Sequence, residues 1–180
     1  MVKGTMNIRE ITENDIPALF AVRIATHENR LTREELTSLG ITEESVKTRL
    51  RGSFGGWLCE ADNQVVGFAM GDRSTGELWV IAVLPAYLGQ RIGSALMRRV
   101  EVWLQANGCS QLWLTTDIDT RLRAYAFYRE HGWRDDRIER GLRYMAKDVS
   151  TGGGGLSGRV SFVHPKSTEG PVGASEQPKG

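Results

Sequence analysis

The sequence has little cysteine, little net charge and no long apolar run. Its two cysteines, Cys59 and Cys109, lack metal-ligand or redox spacing, so we interpret them as small core or edge residues in a reducing compartment. The net charge of +1 gives no overall field to attract nucleic acid or an anionic membrane. No apolar run approaches the roughly 20 residues that span a bilayer, and no signal-peptide core precedes Met6. These absences predict a cytoplasmic protein without nucleic-acid or membrane partners.

Two further compositional features set the domain organisation. The histidines are too scattered for a metal site, so we expect no metal. Near Ser150 the composition changes to four consecutive glycines followed by serine, proline, glycine and charges, which is typical of disorder. We therefore predict one folded domain over residues 1–149 and a disordered tail over residues 150–180. The alternative is that Arg159–His164 adds an edge strand.

The hydrophobic periodicity predicts an α/β fold with one central, mixed, twisted sheet of about six to seven strands flanked by helices. A strand at Met6–Ile11 precedes two or three helices, the first of which continues toward Glu28. Three strands, a helix, a strand, a helix and closing strands follow. The strand, helix and strand from Leu78 to Thr116 predict a right-handed crossover between parallel strands.

The stretch Glu77–Val100 combines a β-rich run, Pro85, a glycine-bearing turn and an amphipathic helix. The first N–H groups of a helix have no internal partner, and the helix dipole favours negative charge there. The turn lacks the Lys-Ser/Thr of nucleoside triphosphate loops and a full dinucleotide fingerprint. It predicts a site for a phosphorylated cofactor, the alternative being an ordinary tight strand-to-helix connection.

Two motifs, in this order, resemble those of the GNAT superfamily of acyl-CoA N-acyltransferases. Val83-x-Pro85 with Leu88–Ser94 is similar to the Val-x-Pro and Arg/Gln-x-x-Gly-x-Gly/Ala pyrophosphate loop. Arg123–Trp133 is similar to the Arg-Ala-x-x-Phe-Tyr-x-x-x-Gly-Phe/Trp helix. The resemblance covers about Met6 to Lys147. It implies a GNAT fold, acetyl-CoA, and acetyl transfer to a primary amine, which we expect to belong to a small molecule, by direct attack in a ternary complex.

The resemblance implies that acetyl-CoA is held largely by main-chain groups. The residues concerned are Ile81, Ala82, Val83, Leu88, Gly89, Gln90, Arg91, Ile92, Gly93 and Ser94. Leu88 stands in place of the usual Arg or Gln, and Arg91 in place of the first glycine. Glycine takes a positive φ cheaply and arginine does not, whereas a helical φ at Arg91 would be harmless and its guanidinium could contact phosphate. A shifted alignment, Gln90-x-x-Gly93-x-Ala95, fits the motif but disturbs its distance to Pro85, so we favour the unshifted one.

The resemblance makes Tyr128 the general acid that protonates the leaving thiolate, the alternative being a core tyrosine. Glu77 lies six residues before Val83, where some members place a glutamate base. Strand alternation predicts Glu77, Trp79, Ile81 and Val83 on one partly apolar face, which could raise the pKa of Glu77. The alternatives are a water-exposed Glu77, Asp117 or Asp119 as the base, or a chain of water molecules.

Two segments resemble a bacterial GNAT subgroup. Arg23–Thr32 is similar to Val-Arg-x-x-x-x-Glu-Asn-x-Leu-Ser, and Thr115–Arg121 to Ser/Thr-Thr-Asp-x-x-Thr-Arg. They imply an acceptor site, the alternative being a solvated helix face. The five tryptophans suit core and sheet faces, and we expect Trp57 and Trp79 to border the acceptor cleft. The predicted acceptor residues are Arg23, Glu28, Asn29 and Asp117. Protein Nα or lysine acetylation and a non-catalytic acyl-CoA-binding module are the alternative functions, and a homodimer is left open.

Overall fold

A computed structural model describes residues 5–28 and 30–149 of the chain. The predicted tail over residues 150–180, its alternative edge strand and the predicted acceptor residue Asn29 lie outside the described residues. Within the described part, no helix is long and apolar enough to cross a membrane.

In residues 5–28 and 30–149, seven strands form one sheet in the order β1-β2-β3-β4-β5-β7-β6. This confirms the predicted mixed α/β fold. All neighbouring strands are antiparallel except β4 and β5, which are parallel and joined by a helix. The strands are β1 (Asn7–Glu10), β2 (Phe54–Ala61), β3 (Gln64–Asp72), β4 (Glu77–Val83), β5 (Gln111–Asp117), β6 (Arg134–Glu139) and β7 (Leu142–Asp148). The helices are α1 (Ile16–Ile24), α2 (Arg33–Ser38), α3 (Glu43–Arg51), α4 (Ile92–Ala106) and α5 (Arg123–Glu130).

Side-chain caps start the two short helices where the sequence predicts them. The Thr32 hydroxyl accepts a hydrogen bond from the Glu35 N–H at 3.2 Å, and the Glu35 carboxylate accepts one from the Thr32 N–H at 2.7 Å. This capping box satisfies donors that the helix leaves unpaired. Helix α1 ends at Ile24, four residues before the predicted limit. The Thr26 hydroxyl donates to the Arg23 carbonyl at 2.9 Å, a local bond that competes with continued helix.

The sheet carries helices on both faces, and each face has its own apolar core. On one face, α4 and α5 bury Leu96, Val100 and Tyr128 against the strands. On the other face, α1, α2 and α3 bury Phe20 and other apolar side chains. These two faces are called the α4 face and the α1 face below.

Candidate active site

Strands β4 and β5 pair at one end only and then separate. Their single residue pair is Glu77 with Trp113, close to the start of each strand. Leu84 donates its N–H to the Val66 carbonyl of β3 at 2.8 Å. Because main-chain groups alternate along a strand, the N–H groups of Ile81 and Val83 point away from β3, into the gap. This arrangement provides main-chain donors for an extended polar ligand.

A bulge in β4 corrects the predicted facing of its side chains. Met70 pairs with Val80 and Gly71 pairs with Leu78, so Trp79 is an extra residue between them. Such an insertion breaks the alternation of side chains along a strand. Trp79 and Val80 therefore both pack on the α1 face, while Ile81 packs on the α4 face together with Val83. The prediction that Trp79 shares a face with Ile81 and Val83 was wrong.

The turn after β4 ends at a helix N-terminus, as expected of a phosphate-binding loop. The first hydrogen bond of α4 runs from the Ala95 N–H to the Arg91 carbonyl, so the preceding N–H groups of Ile92, Gly93 and Ser94 lack an acceptor within the helix. Three successive donors and the positive end of the helix dipole fit a pyrophosphate. A Cβ on Gly93 would lie 3.5 Å from the Phe127 ring, an ordinary contact.

Arg91 has a left-handed conformation, with φ of 62° and ψ of 14°. Arg91 therefore does not adopt the helical φ that would have carried no strain. A positive φ at this position is what the first glycine of the motif would supply without steric cost, which favours the unshifted alignment. Arginine keeps the turn at some cost in backbone strain.

Tyr128 lies in the core of the α4 face, with 8 % of its surface exposed. Its ring makes edge contacts with Phe127 at 5.5 Å and Trp133 at 6.3 Å between centroids. Burial raises the pKa of Tyr128 to about 12, and the nearby Arg23 guanidinium opposes this shift. Arg23 belongs to α1, on the other face, so the two side chains influence one another through the sheet. The phenol is protonated at neutral pH and can act as a proton donor.

Glu77 is partly buried at the start of β4. Burial, and then repulsion by the Asp72 carboxylate, raise the pKa of Glu77 to about 7, with the Arg49 guanidinium opposing them. A carboxyl group with this pKa can exchange protons near neutral pH. Asp117, one of the predicted alternative bases, already has a hydrogen-bond partner, because its carboxylate accepts a hydrogen bond from the Asp119 N–H at 2.7 Å.

A cleft of about 1010 Å³ opens on the α1 face. Three of the predicted acceptor residues, Arg23, Glu28 and Asp117, line it, whereas Glu77 and Asp119 are not among its lining residues. Trp79 borders the cleft as predicted. The corresponding prediction for Trp57 was wrong, because its indole packs on the α4 face against Trp103, at 6.0 Å between ring centroids.

Comparison with known proteins decides the family. The model of the acetyltransferase (GNAT) family matches residues 18–133 of the chain. The chain belongs to the GNAT acetyltransferase family. It is therefore an acyltransferase, and acetyl-CoA is the acetyl donor that this family uses. No curated protein sequence matches the chain.

Solved GNAT structures share the fold at low sequence identity. The PaiA N-acetyltransferase of Thermoplasma acidophilum, solved with coenzyme A, has a TM-score of 0.70 and 18 % identity, over 81 % of this chain and 99 % of that one. The ribosomal-protein-S18-alanine N-acetyltransferase of Escherichia coli gives 0.65 and 20 %, over 84 % and 99 %. The aminoglycoside 6′-acetyltransferase type Ii gives 0.64 and 19 %, over 82 % and 99 %.

The candidate site contains a contact that the sequence does not predict, between the first turn of α4 and the residue that follows α5. The two nitrogens of the His131 imidazole lie 2.9 Å from the Ser94 hydroxyl and 2.7 Å from the Phe127 carbonyl. Since a carbonyl only accepts, Nδ1 must donate to Phe127. In the neutral ring Nε2 then accepts from Ser94. The pairing connects positions 37 residues apart in the sequence, and no local pattern marks it.

Proposed function

We propose that this GNAT enzyme transfers acetyl from acetyl-CoA to a primary amine of a small molecule, by direct attack in a ternary complex. The observation that carries the proposal is the gap between β4 and β5, into which main-chain donors of β4 point. The cleft on the α1 face accompanies it, and Arg23, which lines this cleft, lies close enough to Tyr128 to act on its pKa. His27, Glu28, Arg30 and Leu31, which follow α1, line the cleft, as do Arg140 and Gly141 of the turn between β6 and β7. Walls contributed by two separate loops favour a small acceptor over an extended peptide.

The main-chain groups of the gap and the loop would hold acetyl-CoA, whose thioester supplies the activated acyl group. The N–H groups of Ile92, Gly93 and Ser94 would bind its pyrophosphate. Those of Ile81 and Val83 point into the gap, where they would bind the pantetheine arm and the acetyl carbonyl. Donors already aimed at the carbonyl oxygen stabilise the negative charge that develops there.

Two proton transfers are required of the protein. Tyr128 would donate its phenolic proton to the departing thiolate, because a buried neutral phenol keeps this proton at neutral pH. Glu77 would accept the proton of the amine, and because it does not line the cleft, we place a water molecule between the amine and this carboxylate. Asp117 lines the cleft and is the alternative direct base. Arg23 and Asp117 would orient the acceptor.

Two measurements test this proposal. Saturating acetyl-CoA should raise the melting temperature, since a ligand at about 100 times its Kd adds roughly 2.7 kcal/mol to the free energy of unfolding. Thiol release from acetyl-CoA should then be followed with a panel of phenethylamine, spermidine, kanamycin and a lysine-containing peptide. Acetyl-CoA-dependent turnover of a small amine supports the proposal, turnover of the peptide alone redirects it to protein acetylation, and no shift and no turnover refute it.

A further inference from the structure

The helix that carries Tyr128 has no side-chain cap of its own. Leu122 precedes α5 in an extended conformation, with φ of −67° and ψ of 144°, and its side chain cannot accept a hydrogen bond. The first helical N–H groups are instead paired with Glu28. The Arg123 N–H donates to Oε1 of Glu28 at 3.0 Å, and the Ala124 N–H donates to Oε2 at 3.3 Å. Both carboxylate oxygens are thus engaged by α5.

This contact joins parts of the molecule that pack on different faces of the sheet. Glu28 follows α1, which packs on the α1 face, whereas α5 packs on the α4 face. Helix α5 follows the end of β5, where β4 and β5 have already separated. The two hydrogen bonds therefore hold the acceptor wall against the helix on the far side of the gap.

The geometry of α5 transmits this contact to Tyr128. Ala124 and Tyr128 are four residues apart, so they lie on the same side of the helix, one turn from each other. A carboxylate at a helix N-terminus is stabilised by the free N–H groups and by the dipole. Fixing the first turn of this eight-residue helix fixes the direction in which the next turn presents its side chain.

We propose that Glu28 is a positioning residue, which orients the Tyr128 hydroxyl through the N-terminus of α5 rather than by binding the amine. This inference rests on the proposed function, because it takes Tyr128 as the acid. The segment that contains Glu28 also contributes His27 and Leu31 to the cleft wall. Glu28 therefore connects the acceptor wall to the helix that carries the acid.

The test compares Glu28→Ala with Glu28→Gln, which keeps one oxygen acceptor, and with Glu130→Ala, which removes an exposed carboxylate from the other end of α5. Glu28→Ala should lower kcat about 10- to 100-fold, the size expected when a reacting group is displaced by about 1 Å. The KM for the amine should stay within about twofold, since a loss made only in the transition state leaves substrate binding unchanged. Glu28→Gln should fall between Glu28→Ala and the wild type, and Glu130→Ala should match the wild type.

Two further readouts separate positioning from amine binding. Hydrogen exchange at the N-terminus of α5 should be faster in Glu28→Ala and unchanged in Glu130→Ala. Leu122→Asp supplies a local cap, and because Leu122 also lines the cleft, the single variant Leu122→Asp is the reference for the double variant. Glu28→Ala should lower kcat by a smaller factor in the Leu122→Asp background than in the wild type. A carboxylate at position 122 restores the cap without restoring Glu28.

Specific results would overturn the inference. A raised amine KM with unchanged kcat in Glu28→Ala would make Glu28 an acceptor ligand. Unchanged exchange at α5, or no rescue by Leu122→Asp, would equally exclude positioning through the helix. Each of these results leaves the proposed function intact, because the wild type still turns over. A wild type that shows no thermal shift with acetyl-CoA and acetylates nothing in the amine panel refutes the proposed function itself, and the inference with it.

Discussion

Replacing Glu77 by glutamine tests whether the surroundings of the Glu77 carboxyl group disfavour its ionised form. The pKa of Glu77 is raised from 4.5 to about 7, chiefly by burial and then by the Asp72 carboxylate. At 1.36 kcal/mol for each pH unit, the difference between these values corresponds to about 3 kcal/mol. Glutamine has a similar shape and no charge, so Glu77→Gln removes this cost.

The sign of the effect depends on pH. Below pH 4.5 the carboxyl group is protonated in the folded and the unfolded protein, and it costs nothing. As the pH rises from 4.5 to 7, the unfolded chain ionises first, so the wild type loses up to about 3 kcal/mol of unfolding free energy. Above pH 7 the loss is complete. Glu77→Gln should therefore exceed the wild type in stability at pH 8 and match it near pH 4.5.

Urea unfolding of both proteins at pH 4.5, 6 and 8 measures this difference directly. Glu34→Gln, on the exposed side of α2, is the matched control, and its unfolding free energy should equal that of the wild type at each pH. If the wild type and Glu77→Gln differ by the same amount at every pH, or if the variant is the less stable at pH 8, the reasoning about Glu77 is refuted. Loss of the acidic limb near pH 7 in kcat/KM of the variant would connect the same group to catalysis.

Three other predictions concern the acid and the loop. Tyr128→Phe should lower kcat about 10²- to 10⁴-fold with acetyl-CoA affinity nearly unchanged, as followed by steady-state kinetics and a thermal shift; near-normal turnover would make Tyr128 a core residue only. Gly93→Val should weaken acetyl-CoA binding, measured by calorimetry, about tenfold or more, which corresponds to about 1.4 kcal/mol. Far-UV circular dichroism and the melting temperature of the free protein should show that the variant is folded. Unchanged affinity would contradict the assignment of the loop. Arg91→Gly should leave the unfolding free energy unchanged or raise it by up to about 1 kcal/mol, and Arg91→Val should lower it by about 1–2 kcal/mol, because only glycine adopts the left-handed φ without strain; equal stability of the two variants would show that the turn relaxes.

The order of elements could be predicted because each one is encoded locally. The capping residues Thr32 and Thr42 precede helices that begin at Arg33 and Glu43, and hydrophobic periodicity marks α4 and the strands on either side of it. The resemblance could assign roles to the loop and to Tyr128 for the same reason, since both motifs lie within short continuous segments.

The remaining features depend on contacts between distant segments. The bulge at Trp79 is a property of the pairing of β4 with β3, and neither strand alone reveals it. The contact of Glu28 with the N-terminus of α5 spans 95 residues. The same limit applies to Trp57, because its contact with Trp103 joins two segments that are distant in the sequence.

Because β4 contains an extra residue, the alternation of side chains before Trp79 is offset by one residue from the alternation after it. If β4 kept its length but paired with β3 without this bulge, regular alternation from Val83 would turn the side chain at the start of β4 toward the α4 face. That space is filled, since a Cβ added to the neighbouring Gly71 would already lie 2.7 Å from Val100. A carboxylate cannot enter it without displacing the apolar core. When Glu77 is compared with residues of other GNAT proteins, equal spacing from the loop is therefore not enough, and two glutamates correspond only if both strands carry the insertion.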